Sequence, residues 1–209
     1  MYLDGLVSKI AAAVLEKIET TPFVKIGVSN RHLHVSREDL DALFGKGYSL
    51  TPVKELLPGQ YACGETVTVT GKKSSVQKVR ILGPVRGQTQ LEISVTDGFV
   101  LGVPAPVNES GNLSGAGSVV IENPLNGARI EKTCAIAALR HIHLTVEYAR
   151  KYGLRDKQFV EAEFDGCRKA KLGGVLIRVS PDFRDEMHID TDEANAVFAR
   201  DGEYARIIP

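Results

Sequence analysis

Residues 31–36 of this chain have the sequence RHLHVS, and residues 140–145 have the sequence RHIHLT. The two stretches match in chemical type at every position and begin 109 residues apart in a chain of 209 residues. Each continues into a short segment with an early acidic residue and then a glycine. Such self-similarity indicates a duplicated supersecondary unit. The sequence therefore predicts two related subdomains, each built on one strand–turn–helix copy, with the boundary near residues 124–132.

The segments beyond residue 22 favour strands. Short apolar stretches alternate with polar residues and are separated by Gly and Pro, which is typical of small barrels or sandwiches rather than of a doubly wound parallel sheet. Ser36 and Thr145 are capping hydroxyls in front of two short predicted helices, 37–44 and 146–152, and a third is predicted over 191–200. The predicted strands are 67–69, 79–82, 91–95, 119–121, 159–164 and 175–179.

The N-terminal segment, residues 1–19, has the pattern of an amphipathic helix. Apolar residues recur at helical spacing, and the pattern ends at Pro22. Two interpretations fit this pattern. The helix packs on its own domain, or its apolar stripe docks on a partner protein.

Composition excludes several classes of partner. Twenty-six basic residues balance twenty-six acidic ones, so no net charge favours nucleic acid or a membrane surface. No apolar run approaches the roughly 20 residues of a membrane span, and the N-terminus lacks a secretory signal. Cys63, Cys134 and Cys167 are widely spaced and odd in number, so we expect buried thiols in a reducing, cytosolic compartment. The alternative to a buried structural thiol is a nucleophilic role for Cys134, although no neighbouring residue in the sequence activates it.

All five histidines fall within metal-binding patterns. Alternate residues of a strand share a face, so His32 and His34 project side by side, as do His141 and His143. Two neighbouring imidazoles can chelate one divalent ion, and a catalytic zinc needs a third protein ligand and an open fourth position. His188 supplies that ligand for one metal. The duplicated pattern thus predicts two metal sites.

The second metal requires an acidic ligand that spacing alone does not identify. Glu92 is a charge within an otherwise apolar strand pattern, and Asp97, Glu109 and Asp190 are the alternatives. Nitrogen-rich ligand sets suit zinc, while cobalt, nickel and iron also accept them.

Two further features favour an anionic substrate. Arg80 and Arg86 flank a Gly-Pro turn, and guanidinium groups bind phosphate in bidentate fashion. The loop 110–118 is rich in small and hydroxyl residues whose amides can approach an oxyanion, although it matches no nucleotide-binding fingerprint.

Four stretches together, 28–36, 82–92, 140–145 and 187–195, resemble the PduL-type phosphotransacylase (phosphate propanoyltransferase) family. The resemblance implies a mainly β fold with two small related β-barrel subdomains, 23–127 and 128–209, short capping helices, and an N-terminal amphipathic segment 1–22. It also implies a dizinc site between the barrels and transfer of a short acyl group between coenzyme A and inorganic phosphate.

The resemblance assigns roles to individual residues. This chain has Asn108 where the family often has an arginine, which bears on one anion contact or on acyl-chain preference. Arg86 would act on the phosphate, with Ser110 beside it. The ligands of one zinc would be His32, His34 and Glu92, and those of the other His141, His143 and His188. The coenzyme A side would be lined by Ser29, Lys54, Arg80, Leu82 and Asn195.

Family members commonly begin with a helix that directs them into bacterial microcompartments, and residues 1–19 resemble it. We therefore expect a cytoplasmic enzyme within such a compartment, with shell or cargo proteins as partners and self-association left open. A dizinc hydrolase of thioesters or phosphoesters is the first rival function. A non-catalytic, zinc-stabilised assembly module is the second.

Overall fold

The computed structural model describes residues 7–12, 14 and 20–209, which are mainly β. Its helices are α1 (Arg37–Phe44), α2 (Val95–Leu101), α3 (Val146–Lys151) and α4 (Thr191–Val197). Its strands are β1 (Phe23–Ser29), β2 (His32–Ser36), β3 (Pro52–Leu57), β4 (Gln60–Thr70), β5 (Ser75–Arg86), β6 (Gln90–Glu92), β7 (Val107–Asn108), β8 (Gly117–Glu122), β9 (Arg129–Ala138), β10 (His141–Leu144), β11 (Phe159–Phe164), β12 (Ala170–Val179), β13 (Glu186–Asp190) and β14 (Tyr204–Ile208).

The first barrel is a closed ring of six strands in the order β4-β5-β2-β6-β9-β8. It closes because β8 pairs with β9 on one side and with β4 on the other. Strand β3 adds to β4, and β7 adds to β9, outside this ring. The second barrel is a closed ring in the order β1-β13-β10-β12-β11-β14. The predicted fold class, two small related β-barrels with short helices, is confirmed.

The duplicated stretches occupy the same position in both barrels. Strand β2 pairs parallel with β5 and antiparallel with β6, while β10 pairs parallel with β12 and antiparallel with β13. The apolar residues between and after the histidines, Leu33, Val35, Ile142 and Leu144, are fully buried. Each contributes about 1.5–3 kcal/mol by leaving water. A one-residue slip would exchange them with the histidines, so burial fixes the register.

The helix caps follow the sequence signals. Ser36 and Thr145 accept hydrogen bonds from the backbone amides of the first turns of α1 and α3. Helix α4 ends at Val197, three residues earlier than predicted, because Phe198 adopts a positive φ of 57°. Helix α2 was not predicted. Ser94 caps it, so the predicted strand 91–95 ends at Glu92.

The compact units differ from the sequence-based bounds 23–127 and 128–209. One unit contains Val28–Leu139 with Ile189–Asn195, because β9 closes the first barrel. The other contains Arg140–His188 and Ala196–Pro209, together with the part of β1 up to Gly27 that pairs with β14.

In the N-terminal segment 1–22, residues 7–12 and 14 are helical and exposed. The rest of the predicted helix 1–19 lies outside the described residues. Among the helices that are described, none has the length and apolarity to span a membrane.

Candidate metal centres

The first barrel brings His32, His34 and Glu92 together. The antiparallel register of β2 and β6 places Glu92 directly opposite His32. Nε2 of His32 lies 3.3 Å from Oε2 of Glu92, and Nε2 of His34 lies 3.7 Å from Oε1. One ligand atom from each of the three residues lies within 4.8 Å of the others. These three donors can surround one ion.

The second barrel repeats this geometry with His141, His143 and His188. The register of β10 and β13 places His188 directly opposite His141, and ligand atoms of the three residues lie within 4.8 Å of one another. His188 therefore occupies the strand position that Glu92 occupies in the first barrel.

The register also separates Glu92 from the competing acids. Asp97 lies 3.2 Å from Nε of Arg31, and Asp190 accepts a hydrogen bond from the backbone amide of Glu193 at the start of α4. Neither of these acids, nor Glu109, belongs to a three-ligand group among the described residues.

Two of the three side chains in the first group, His34 and Glu92, are held in the protonation state that binds a metal. Burial lowers the pKa of His32, but the adjacent Glu92 carboxylate outweighs burial and raises it. His32 donates a hydrogen bond from Nδ1 to the carbonyl of Asn30 at 2.8 Å, which leaves its Nε2 for a metal. Burial, with the charges of His32 and Arg86, lowers the pKa of His34 to about 3 and keeps this imidazole neutral. Burial raises the pKa of Glu92, but the charge of His32 and the hydrogen bonds from His32 and Ser110 outweigh burial and hold that pKa well below its usual range.

The second group contains a buried imidazole whose nitrogens are unsatisfied. Within the described part of the chain, neither Nδ1 nor Nε2 of His143 has a hydrogen-bond partner, although the residue is only 6% exposed. Burial, with the charges of His141 and His188, lowers the pKa of His143 to about 2. Unpartnered buried polar atoms are costly, and a neutral imidazole is the form that ligates metals. A divalent ion fits this group.

Arg86 lines a cleft next to the first group. The cleft has a volume of about 500 Å³ and is lined by Arg86, Gly87, Gln88, Gln90 and Gly111. Nη1 of Arg86 lies 3.3 Å from Oγ of Ser110. A guanidinium and the amides of a small-residue loop can bind an anion here.

The residues assigned to coenzyme A all belong to the same compact unit as the first group: Ser29, Lys54, Arg80, Leu82 and Asn195. Leu82 lies opposite His34 in the parallel pairing of β2 and β5. Arg80 donates hydrogen bonds to the carbonyls of Cys63 and Gly64, at 2.8 and 3.0 Å. Arg80 therefore also ties β5 to β4.

Comparison with known proteins gives the family. The family model for phosphate propanoyltransferases matches residues 25–200. This chain belongs to the phosphate propanoyltransferase family. The similar curated proteins include the phosphate propanoyltransferase of Thermotoga maritima, which is 49% identical over 100% of this chain and 99% of the relative. That of Clostridioides difficile is 45% identical over 99% of both chains. The predicted family, and with it an acyltransferase enzyme, is confirmed.

Two residues that contact the metal groups were not predicted from the sequence. Gln90 hydrogen-bonds to Glu92, and the ring of Phe183 stacks on His143 at 4.0 Å between centroids. Gln90 could have been found, because it lies two residues before Glu92 in the same alternating segment. Phe183 is on a loop after β12, and no periodic signal marks it.

Proposed function

We propose that this chain transfers a short acyl group, propanoyl or acetyl, between coenzyme A and inorganic phosphate with the help of two zinc ions per chain. The observation that carries the proposal is the presence of a three-donor group at the same register position in both barrels, one of them beside the Arg86 cleft. The names of the relatives support phosphate and an acyl group as substrates.

His32, His34 and Glu92 would hold one ion, and the second would be held by His141, His143 and His188. Three protein donors leave a coordination position for substrate, as catalytic zinc sites do. Zinc held by these residues would act as a Lewis acid on the thioester carbonyl or a phosphate oxygen, an effect worth several kcal/mol.

Arg86 would bind the phosphate, offset its charge and orient one oxygen for attack, with Ser110 beside it. That oxygen forms a bond to the thioester carbon, the carbon–sulfur bond breaks, and the sulfur leaves with its electron pair as the coenzyme A thiolate. Phosphate dianion is itself a nucleophile near neutral pH, so this displacement requires no general base.

A direct displacement is favoured over an acyl-enzyme on Cys134. That residue is 1% exposed, and burial raises the pKa of its thiol to about 11, which disfavours the reactive thiolate. Cys63 is buried too, and its thiol pKa is raised to about 11. Neither thiol is suited to nucleophilic attack.

The remaining assignments complete the proposal. Coenzyme A would contact Ser29, Lys54, Arg80, Leu82 and Asn195. Residues 1–19 would dock on shell or cargo proteins of a cytoplasmic microcompartment.

A thioester assay with and without phosphate tests the function. The zinc-loaded protein should release free thiol from propanoyl-CoA and form propanoyl phosphate in equal amounts, and only when phosphate is present. Thiol release without phosphate would identify the hydrolase instead. Two tightly bound zinc ions without any turnover would identify the assembly module.

A further inference from the structure

Gln90 is buried beside the first metal group, and both the nitrogen and the oxygen of its side-chain amide form hydrogen bonds. It lies opposite His34 across β2 and β6, and is 2% exposed. Its Nε2 donates to Oε1 of Glu92 at 2.6 Å and to Oγ of Ser110 at 2.8 Å. Its Oε1 accepts from the backbone amide of Gly111 at 2.7 Å. One side chain thus connects a candidate ligand to the loop that follows β7.

The surrounding hydrogen bonds fix the orientation of this amide. The Gly111 amide can only donate, so it must face the carbonyl oxygen of Gln90. Ser110 donates its proton to Oε1 of Glu92 at 3.0 Å, so its oxygen accepts from Gln90. The Glu92 carboxylate therefore has two donors on one oxygen, Ser110 and the amide of Gln90.

The same loop lines the cleft of Arg86. Gly111 and Gln90 are both part of the cleft wall, and Ser110 lies 3.3 Å from Arg86. We propose that Gln90 is a positioning residue that holds the Glu92 carboxylate toward its metal and the Ser110–Gly111 loop toward phosphate. This inference rests on the proposed function.

The equivalent position of the second barrel also holds a polar side chain. Glu186 lies opposite His143 as Gln90 lies opposite His34, and Oε2 of Glu186 is 3.7 Å from Nε2 of His188. An amide thus accompanies the carboxylate ligand within hydrogen-bond distance, whereas a carboxylate accompanies the imidazole at a distance too long for a hydrogen bond.

The variant Gln90→Met tests the proposal, because it keeps the side-chain length and removes every hydrogen bond. Loss of a hydrogen-bonding partner behind a metal ligand typically weakens metal binding by about 10- to 100-fold. We expect competition with a chelator to remove one zinc per chain at a concentration where the unmodified protein keeps two. The KM for phosphate should rise at least several-fold more than the KM for coenzyme A. Gln90→Asn, which is one methylene too short to span the contacts, should give the same pattern.

Asn123→Leu is the matched control. Asn123 is also 2% exposed in the same barrel, and its amide donates to the carbonyl of Leu43 at 3.0 Å. This variant should lose thermal stability while it keeps both zinc ions and both KM values. The proposal is overturned if the Gln90 variants keep wild-type zinc affinity and phosphate KM, or if Asn123→Leu reproduces their losses. An unmodified protein that takes up no zinc would instead overturn the proposed function itself.

Discussion

Removal of His141 should take one zinc from each chain. The second group has three protein donors, with ligand atoms within 4.8 Å of one another, so His141→Ala leaves two. Zinc binding at four-ligand protein sites is worth about 10–16 kcal/mol, or roughly 2.5–4 kcal/mol for each ligand. At about 1.4 kcal/mol per tenfold change, the affinity should fall roughly 60- to 700-fold.

The assay is zinc stoichiometry under a graded chelator series, followed by the phosphate-dependent thioester assay. The unmodified protein should hold two zinc ions where His141→Ala holds one, and the variant should lose most of its activity. His32→Ala should lose the other ion by the same reasoning. Glu161→Ala, on the exposed face of β11 in the same barrel as His141, is the control and should keep both. Two zinc ions retained with wild-type affinity in His141→Ala would refute the ligand assignment.

Three further predictions concern the cleft, the second group and the stability of the first barrel. Arg86→Ala should raise the KM for phosphate about 10- to 100-fold with a much smaller effect on coenzyme A, because a charged hydrogen bond is worth about 1.5–3 kcal/mol. Phe183→Ala should lower zinc affinity at the second group only, because the ring stacked on His143 holds an imidazole that no hydrogen bond from residues 7–12, 14 or 20–209 orients. Asp39→Asn should lower the free energy of unfolding by about 1–3 kcal/mol at pH 7, because the carboxylate lies 2.7 Å from Nζ of Lys132. Burial raises the pKa of Asp39, but the hydrogen bonds from Lys132 and from the hydroxyl groups beside Asp39 outweigh burial, so the net pKa is lowered. The stabilisation is therefore present above the unfolded-state pKa of about 3.9 and is lost as the pH falls through the folded-state pKa.

Each of these predictions has a control or a contradicting result. Arg129→Ala removes an exposed arginine that pairs with Glu122 in the same barrel, and should leave both KM values unchanged. Equal KM increases for both substrates in Arg86→Ala would indicate a structural role. Phe183→Leu should retain more zinc affinity than Phe183→Ala, and unchanged affinity in both would contradict the stacking argument. Denaturant unfolding of the unmodified protein and of Asp39→Asn from pH 3 to 8 checks the last prediction. A difference in the free energy of unfolding between the two proteins that grows toward low pH would contradict it.

Local signals in the sequence predicted the parts of the fold that depend on neighbouring residues. The alternation around His32 and His141 specifies strands because one face of each must be buried. Ser36 marks the start of α1, and the predicted helix 37–44 agrees with the observed one because capping is a contact within one turn. The paired histidines followed from strand geometry alone.

Strand pairing decided what local signals left open. Spacing did not separate Glu92 from Asp97 and Asp190. The register of β6 on β2 does so, through a contact between residues 60 positions apart in the sequence. Which barrel β1 and β9 belong to likewise depends on the strands with which they pair to close each ring. Phe183 became visible only through its contact with His143, which lies 40 positions earlier in the sequence.

The sequence by itself determined that this protein has two related halves, each with a strand that carries two histidines on one face. Alternation, capping and duplication act over a few residues or between identical motifs, and the chain displays them directly. Spacing alone left open which third residue joins each pair, and the family resemblance named it. Only the tertiary structure gave the physical reason, because hydrogen bonding between strands distant in the sequence sets the register. That register places Glu92 beside one pair of imidazoles and His188 beside the other.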